Sequence, residues 1–401
     1  IYVHVPFCES LCFYCACNKI ITKRHERGSE YLEYLRREID LHVEHLGKGQ
    51  TISQLHLGGG SPTFFSDDEL TQLMDDIKRS FVMAPGGEYS IEIDPRTVDE
   101  KRLTHIRQLG FNRLSFGVQD FDADVQKAVH RVQPAEQVFD LVGTSRKLGF
   151  DSVNVDLIYG LPKQTPASFA TTLKKVAQLR PERIALYAYA HLPERFKPQS
   201  RIHSGDLPAA AEKIDMLSSA IAKFVSAGYV YIGMDHFAKP GDELVNAQQS
   251  GKLQRNFQGY STQADCDLVA LGVSAISRIG DVYAQNQREL DLYYADLDQG
   301  KLPLVKGLVS TVDDNMRRQV IHDLLCQAEV DIKAFEAQWS IDFTQYFAED
   351  LAQLKDLQED GLVAVDSGFV RITPRGRFLA RIVAMRFDQY LRHAKTHAKY
   401  S

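Results

Sequence analysis

Regular alternation of short β-strands and amphipathic helices is the feature that most limits how the first half of this 401-residue chain can fold. Six apolar, β-branched segments are each followed by a helical pattern. The predicted strands span residues 1–5, 52–57, 89–93, 113–118, 152–158 and 183–189. This rhythm predicts a parallel sheet covered by helices. Because six units are too few for an eightfold barrel, the predicted fold is α/β, a partial (β/α)6 TIM-like barrel.

The last hundred residues have a different pattern. Helices are predicted over 312–327, 331–339 and 346–359, followed by a β-hairpin over 362–372 and a final helix over 374–391. Helices followed by a small hairpin indicate a mostly helical, winged-helix-like domain. We therefore expect a barrel core over residues 1–195, a barrel extension that contacts substrate and cofactor over 196–305, and a C-terminal helical domain over 306–401.

Composition excludes some classes of function. The net charge of −6 argues against general affinity for nucleic acid, so an anionic ligand would have to be met by locally placed arginine and lysine. No apolar run reaches the length of a membrane span, and no secretory signal is visible. The chain starts within a predicted strand at Ile1 rather than at a methionine, and we expect a preceding segment to be missing.

Four of the six cysteines lie within ten residues, directly after the first predicted strand: Cys8, Cys12, Cys15 and Cys17. The first three have the spacing C-x3-C-x2-C. Three thiolates on one loop can hold three corners of an iron–sulfur cube and leave the fourth iron open to an amine and a carboxylate. A reduced cluster favours the cytoplasm.

Other metal and thiol chemistries fit these cysteines less well. A zinc site usually takes four ligands from two separated pairs, and Cys17 could complete a compact set, although a C-x-C pair is awkward around one tetrahedral ion. A disulfide framework needs an oxidising compartment and a small cysteine-dense domain. The distant Cys266 and Cys326 are interpreted as ordinary buried thiols.

Polar groups also follow the other predicted strands. The glycine-rich run at 58–63 would let backbone groups approach a ligand closely. Glu92 stands in an apolar strand, so it either pairs with a neighbouring arginine or lysine or binds a cationic ligand. Asp156 could accept hydrogen bonds from a ribose, and Arg131 could clamp a carboxylate. His56, like His236, is more often a core residue than a catalyst in such a position.

With these motifs in place, the chain resembles the radical S-adenosylmethionine (SAM) enzymes, and among them the family of oxygen-independent coproporphyrinogen III oxidases. The resemblance extends over the whole chain. The matching segments are residues 2–8, 12–19, 58–63, 91–96, 112–120, 156–165, 233–237 and 255–260.

The resemblance implies one [4Fe–4S] cluster and two SAM molecules in one site. The cluster ligands would be Cys8, Cys12 and Cys15. The first SAM would meet Tyr2, Gly59, Glu92 and Ile276. The second would meet Tyr14, Gly60, Ser61, Gln119, Arg131, Asp156 and Ala190. Tyr2 and Cys17 would act in catalysis, Cys17 without ligating the cluster.

The implied reaction converts two propionates of coproporphyrinogen III to vinyl groups, with SAM cleaved to methionine and 5′-deoxyadenosine. The resemblance also implies a tetrapyrrole substrate, a reduced flavodoxin- or ferredoxin-type electron donor and a monomer. Arg255 and Lys163 are the residues we expect to meet substrate carboxylates.

Three other functions remain open from the sequence. A heme-binding chaperone of the same superfamily would usually lack a cysteine at position 17 and carry His-Asn where this chain has Arg255-Asn256. A radical SAM enzyme that modifies heme itself is the second. The third is a zinc-stabilised interaction protein, which iron and sulfide analysis would distinguish.

Overall fold

The computed structural model of the chain describes residues 1–256, 259–263 and 266–392. Residues 257 and 258, in the predicted polar loop at 255–260, and the end of the predicted C-terminal domain, 393–401, lie outside the described residues. The chain forms two compact units. Unit 1 comprises residues 1–227 and 267–309, and unit 2 comprises residues 228–266 and 310–401.

Strands and helices alternate through the first 227 residues, as the sequence predicts. In chain order they are β1 Tyr2–Val5, β2 Phe7–Cys8, β3 Ile20–Ile21, α1 Glu26–Leu46, β4 Thr51–Gly59, α2 Asp67–Ser80, β5 Val82–Ile93, α3 Glu100–Gln108, β6 Arg113–Gln119, α4 Ala123–Ala128, α5 Ala135–Lys147, β7 Ser152–Tyr159, α6 Pro166–Leu179, β8 Arg183–Ala188 and α7 Ala210–Ser226.

Shorter elements follow as far as residue 309. They are β9 Val230–Gly233, β10 His236–Ala238, α8 Glu243–Gln249, β11 Gln254–Asn256, β12 Gly259–Ser261, β13 Ala270–Leu271, β14 Ile276–Ile279, β15 Val282–Asn286, α9 Leu290–Asp298 and β16 Leu304–Val309.

The remaining described elements belong to unit 2. They are α10 Val312–Cys326, β17 Glu329–Asp331, α11 Ile332–Trp339, α12 Phe343–Tyr346, α13 Ala348–Ala352, α14 Lys355–Glu359, β18 Val363–Val365, β19 Phe369–Ile372, α15 Ala380–Ala384 and α16 Gln389–Arg392.

The central sheet of unit 1 is parallel, and from β1 to β8 its strands lie in the order of the chain. Its described strands run β13-β1-β4-β5-β6-β7-β8, and every pairing is parallel. The six predicted strands and the open α/β fold are confirmed. The sequence did not predict β13, which adds to the outer side of β1 through the pair Tyr2↔Ala270. A strand of two residues is too short to show periodicity, and its partner β1 lies far away in the sequence.

Helix α2 illustrates how the covering layer forms. Ser66 accepts a hydrogen bond from the backbone of Glu69, whose side chain accepts one in return from the backbone of Ser66. Four apolar residues spaced three or four apart are fully buried: Leu70, Leu73, Met74 and Ile77. The capping box fixes where the helix starts, and the apolar stripe fixes which face meets the core.

Unit 2 confirms the predicted hairpin and extends it to three strands. Strand β17 pairs with β19, which pairs with β18, and both pairings are antiparallel. Helices α10 and α11 accompany this sheet, in keeping with the winged-helix-like prediction. The core contains the aromatic side chains of Phe335, Phe343, Phe347 and Phe387.

Three sequence predictions are wrong in detail. The predicted helix 346–359 is interrupted at Phe347, whose backbone leaves the helical region, and again between α13 and α14. The predicted helix 374–391 is broken into short turns, and Asp388 is extended and accepts a hydrogen bond from the Tyr390 backbone. Cys266 is exposed rather than buried, whereas Cys326 is buried as expected. Among the described residues, no helix is long and apolar enough to cross a membrane.

A buried carboxylate connects α1 to the segment that contains the edge strand β13. Glu38 is fully buried and accepts hydrogen bonds from Gly272 N (2.7 Å), Asn286 Nδ2 (2.6 Å) and Tyr293 Oη (2.6 Å). Burial raises the pKa of Glu38 to about 7, although these three donors oppose the shift. The segment that supplies β13 is thereby held against α1.

We predict that Glu38 makes the stability of the chain pH-dependent. Its pKa is raised from about 4.5 in the unfolded chain to about 7 in the fold, so its contribution is fully present below pH 4.5 and is lost as the pH rises through 7. The loss is on the order of 3 kcal/mol. Urea unfolding at pH 4 to 8 should show the difference in unfolding free energy between the wild type and Glu38→Gln changing by this amount.

The exposed Glu44 on the same helix provides the control. The difference between the wild type and Glu44→Gln should stay constant over the same pH range. A constant difference for Glu38→Gln as well would contradict the raised pKa.

Candidate active site

One cavity of about 160 Å³ lies in unit 1 where the cysteine loop meets the carboxyl ends of β4, β5, β6 and β7. Because these strands are parallel and adjacent, their carboxyl ends deliver side chains to the same edge of the sheet. The predicted site residues that line the cavity are Cys8, Cys12, Tyr14, Cys15, Cys17, Gly59, Gly60, Ser61, Glu92, Gln119, Arg131 and Asp156.

Three charged side chains hold the cysteine loop: Arg96 just after β5, Arg131 between α4 and α5, and Lys19, which follows Cys17. Arg131 Nη1 lies 3.5 Å from the sulfur of Cys12, and Arg96 Nη2 lies 3.8 Å from the same atom. Lys19 Nζ donates to the backbone oxygens of Cys15 (2.9 Å) and Cys17 (3.3 Å). Positive charge therefore surrounds the thiols, as a site for thiolates requires.

Asp94, just beyond β5, balances part of this charge. Its Oδ2 accepts from Arg96 Nη2 (2.6 Å) and lies 3.2 Å from Arg131 Nη1. Burial alone would raise the pKa of Asp94, but the hydrogen bonds and charges of Arg96 and Arg131 outweigh burial and hold it below its usual value. Arg131 Nη2 also donates to the carbonyl oxygen of Gly117 in β6 (2.7 Å). Asp94 and these two arginines thus connect the loop to two strands.

The thiols have the chemistry that an iron–sulfur cluster needs. Burial, together with Cys15 and Cys12, raises the pKa of Cys8 to about 12, so a cation would be needed to stabilise its thiolate. The pKa of Cys15 is lowered to about 6, mainly by a hydrogen bond with Cys17, with Lys19 contributing. Within the described ranges, no three His, Cys, Asp or Glu side chains are arranged as a finished metal site. Cys8, Cys12 and Cys15 line the same cavity, and cysteine sulfurs are the donors that an iron–sulfur cluster takes.

The glycine-rich turn after β4 packs against the backbone that leads into the cysteine loop. Gly60 N donates to Val5 O (2.7 Å), and Ser61 N donates to Phe7 O (2.9 Å). A Cβ on Gly60 would lie 2.8 Å from the carbonyl carbon of Pro6 and from the oxygen of Phe7. Only glycine fits against this backbone, and the close approach places the turn beside the cysteines.

Glu92 extends from β5 into the cavity. Its Oε2 accepts from Gly59 N (3.2 Å), and its Oε1 lies 3.3 Å from His56 Nε2. In the described part of the chain neither oxygen contacts an arginine or a lysine. Glu92 therefore does not form the ion pair that was the structural alternative to ligand binding. Its side chain is 42% exposed. Glu92 is therefore available to a cationic ligand.

Asp156 and Gln119 line the other side of the cavity. Asp156 accepts from Ser115 Oγ (3.0 Å) and Asn154 Nδ2 (2.8 Å), and Asn154 also donates to Ser115. Gln119 ends β6 with a positive φ of 65°, at a register shift between Gly117 and Gln119. This bulge turns the end of β6 at the cavity.

Three predicted contact residues do not line the cavity. Tyr2 lies behind it, stacked on His56 with 5.9 Å between ring centroids. Ala190 is linked to the cysteine loop through Gln199, whose Nε2 donates to the oxygens of both Tyr14 (3.0 Å) and Ala190 (3.1 Å). Ile276 is on β14 and is 37% exposed.

The two predicted substrate contacts are engaged elsewhere. Lys163 Nζ lies 2.5 Å from Asp206 Oδ1 in unit 1. Arg255 belongs to unit 2, where it lies over the ring of Tyr260 and 3.7 Å from Asp235.

Sequence reasoning assigned no role to several residues that line the cavity: Ser10, Lys19, Arg96, Ser115 and Gly117. Asp94 was recognised only as a polar residue that follows a strand, and Arg96, two residues further on, carried the same signal. Ser115 could not be distinguished from an ordinary strand residue, because its role depends on Asn154 and Asp156 in the neighbouring strand.

Two known protein families match this chain, and both matches cover elements described above. Residues 2–176 match the radical SAM superfamily, which covers the cysteine loop and strands β1 to β7. Residues 311–379 match the HemN C-terminal domain, within unit 2.

Individual proteins are similar over nearly the whole chain. An oxygen-independent coproporphyrinogen III oxidase of Pseudomonas aeruginosa is 50% identical over 98% of this chain and 85% of its own length. The protein of the same name from Escherichia coli is 49% identical over 100% of this chain and 88% of its own. A solved structure described as coproporphyrinogen III oxidase from Escherichia coli, a radical SAM enzyme, superposes with a TM-score of 0.95, covering 97% of this chain and 90% of that one.

We predict that Gly60→Ala disturbs the cysteine loop. The new Cβ would meet backbone atoms of Pro6 and Phe7, which cannot move aside as a flexible side chain could. The expected cost is about 2–3 kcal/mol of unfolding free energy together with reduced iron incorporation. Chemical unfolding and iron analysis after anaerobic reconstitution measure these two effects.

Gly143 in α5 is the matched control, since a Cβ there would meet no atom within 4 Å. Gly143→Ala should keep full iron content and gain up to about 1 kcal/mol from the better helix former. Normal iron incorporation in Gly60→Ala would show that the turn does not position the cysteines.

Proposed function

The chain belongs to the oxygen-independent coproporphyrinogen III oxidases of the radical SAM superfamily, and from this premise we propose how its cavity carries out that activity. The reaction is the oxidative decarboxylation of coproporphyrinogen III in heme biosynthesis. Each of two propionate side chains loses one hydrogen atom, which ends on 5′-deoxyadenosine, together with carbon dioxide and one electron, which offsets the electron consumed in cleaving SAM. Each propionate thereby becomes a vinyl group, and the product is protoporphyrinogen IX.

We assign the cluster ligands to Cys8, Cys12 and Cys15. These thiols share one cavity wall, and arginines 96 and 131 supply positive charge beside Cys12. When bound, a [4Fe–4S] cluster with SAM supplies reductive cleavage of SAM to methionine and a 5′-deoxyadenosyl radical. The chain itself holds the reactants and excludes water.

The polar residues at the strand ends would bind SAM. Glu92 offers a carboxylate to the ammonium group, and Asp156, oriented by Ser115 and Asn154, offers one to a ribose. We propose that two SAM molecules share the site, because carboxylates stand on both β5 and β7. The first would use Glu92, and the second would use Tyr14, Gly60, Ser61, Gln119, Arg131, Asp156 and Ala190.

The observation that carries the proposal is that a single cavity joins the cysteine loop to polar groups from four adjacent strands. Cys17 lies at its edge, where we assign it a role in turnover rather than in cluster ligation. Tyr2 does not line the cavity and would act through its stacking contact with His56.

The proposed partner and oligomeric state rest on the family resemblance, and the proposed compartment rests on the chemistry of the thiols. We propose a reduced flavodoxin- or ferredoxin-type protein as the electron donor and a monomer as the working state. Thiols that must stay reduced to hold a cluster favour the cytoplasm.

An anaerobic assay tests the function directly. Protein reconstituted with iron and sulfide, given SAM, a reductant and coproporphyrinogen III, should form protoporphyrinogen IX, with 5′-deoxyadenosine and methionine as coproducts. Tight heme binding without any tetrapyrrole product would instead identify a chaperone.

Cys17→Ser should retain the cluster and lose turnover. The substitution removes no proposed ligand, so iron content and the visible absorbance of the cluster should match those of the wild type. Product formation should fall at least about a hundredfold.

The exposed Cys266 offers a control for the loss of one thiol. Cys266→Ser should keep both the cluster and the activity. Loss of the cluster itself in Cys17→Ser would make Cys17 a ligand and refute its assigned role.

A further inference from the structure

The histidine beside Glu92 is part of a built arrangement on one face of the sheet. Strands β4 and β5 pair with His56 opposite Ser90, which places Glu92 diagonally across from His56 on the same face. His56 Nδ1 lies 2.6 Å from Ser90 Oγ, and His56 Nε2 lies 3.3 Å from Glu92 Oε1. Ser90, His56 and Glu92 therefore form a hydrogen-bonded row that ends at the cavity.

The direction of the hydrogen bonds follows from counting protons. A serine hydroxyl has one proton, and Ser90 Oγ has two possible acceptors, His56 Nδ1 at 2.6 Å and Leu55 O at 3.3 Å. A carboxylate oxygen only accepts, so the 3.3 Å contact with Glu92 Oε1 is a hydrogen bond when the proton of His56 is on Nε2. A neutral imidazole protonated there accepts at Nδ1, and Ser90 Oγ is then the donor to Nδ1.

Two further features hold the imidazole in place. The Tyr2 ring is stacked on it with an interplanar angle of 13°, and Tyr2 Oη lies 3.1 Å from His4 Nδ1. Gly58 leaves the necessary space, since a Cβ there would lie 2.8 Å from Glu92 Oε1 and 3.1 Å from His56 Nε2. A side chain at the first glycine of the run would therefore displace Glu92 or His56 from this arrangement.

The hydrogen bonds fix both oxygens of Glu92. Oε1 faces His56, and Oε2 accepts from Gly59 N. A glutamate has three rotatable bonds, and freezing them before a ligand arrives removes an entropy cost from binding. One lone pair on each oxygen is used by the protein, and the carboxylate still faces the cavity.

We propose that Ser90 and His56 are positioning residues that hold Glu92 ready for the ammonium group of SAM. They act through Glu92 and do not touch the ligand. The inference rests on the proposed function for the identity of the ammonium compound. Ser90 selects the tautomer of His56, and His56 selects the conformer of Glu92.

The test is a double-mutant cycle read as SAM affinity. Equilibrium binding of SAM to anaerobically reconstituted protein is measured for the wild type, His56→Phe, Glu92→Gln and the double variant. His56→Phe keeps a ring to stack on Tyr2 and should weaken binding ~10-fold. If His56 acts through Glu92, the double variant should bind no more weakly than Glu92→Gln alone. Ser90→Ala should give a smaller loss.

Two variants separate positioning from a structural role. His56→Gln places an amide N–H near the position of Nε2 and should recover most of the affinity. His45→Gln, an exposed histidine at the end of α1, should leave affinity unchanged. Iron content and melting temperature of each variant are measured in parallel.

Additive losses in the cycle, or unchanged affinity in His56→Phe, would overturn the proposal. Product formation from coproporphyrinogen III is recorded on the same samples. If the cycle gives the expected affinities but the wild-type protein forms no product, the positioning role stands and the proposed function is refuted.

Discussion

The buried guanidinium of Arg131 is the contact on which the geometry of the site depends. It is 7% exposed and joins three parts of unit 1: the sulfur of Cys12, the carboxylate of Asp94 and the carbonyl of Gly117. A buried charge is tolerated only when its partners are in place, and removing one of them costs several kcal/mol. The cysteine loop, β5 and β6 are therefore held in one arrangement by a group that cannot be left unpaired.

The parallel sheet explains why one cavity can collect so many groups. Because β4, β5, β6 and β7 are consecutive neighbours, their carboxyl ends lie side by side, and each contributes polar atoms from its carboxyl-terminal half. Close backbone contact at Gly60 then places the turn after β4 against the cysteine loop. The chemistry of the site comes from loops and strand ends, while the buried faces of the same strands supply stability.

Sequence periodicity was enough to predict the six strands and the open parallel fold, and cysteine spacing singled out a loop that lines the cavity. These sequence patterns could not predict the function of a residue that depends on its neighbour in the adjacent strand. Glu92 illustrates the difference: its place in an apolar strand was visible, whereas its partner His56 follows only from the register of β4 and β5. Strand β13 was missed because two residues carry no period. The final helix was overpredicted because its apolar residues continue through Asp388, where the backbone becomes extended.

The central claim is that three cysteines hold a cluster whose fourth iron is left for SAM. Mössbauer spectroscopy of ⁵⁷Fe-reconstituted protein tests it most directly. On addition of SAM, one of the four irons should change its isomer shift and quadrupole splitting while the other three stay constant. Four irons that all remain unchanged by SAM, or protein that binds zinc without sulfide, would contradict the account.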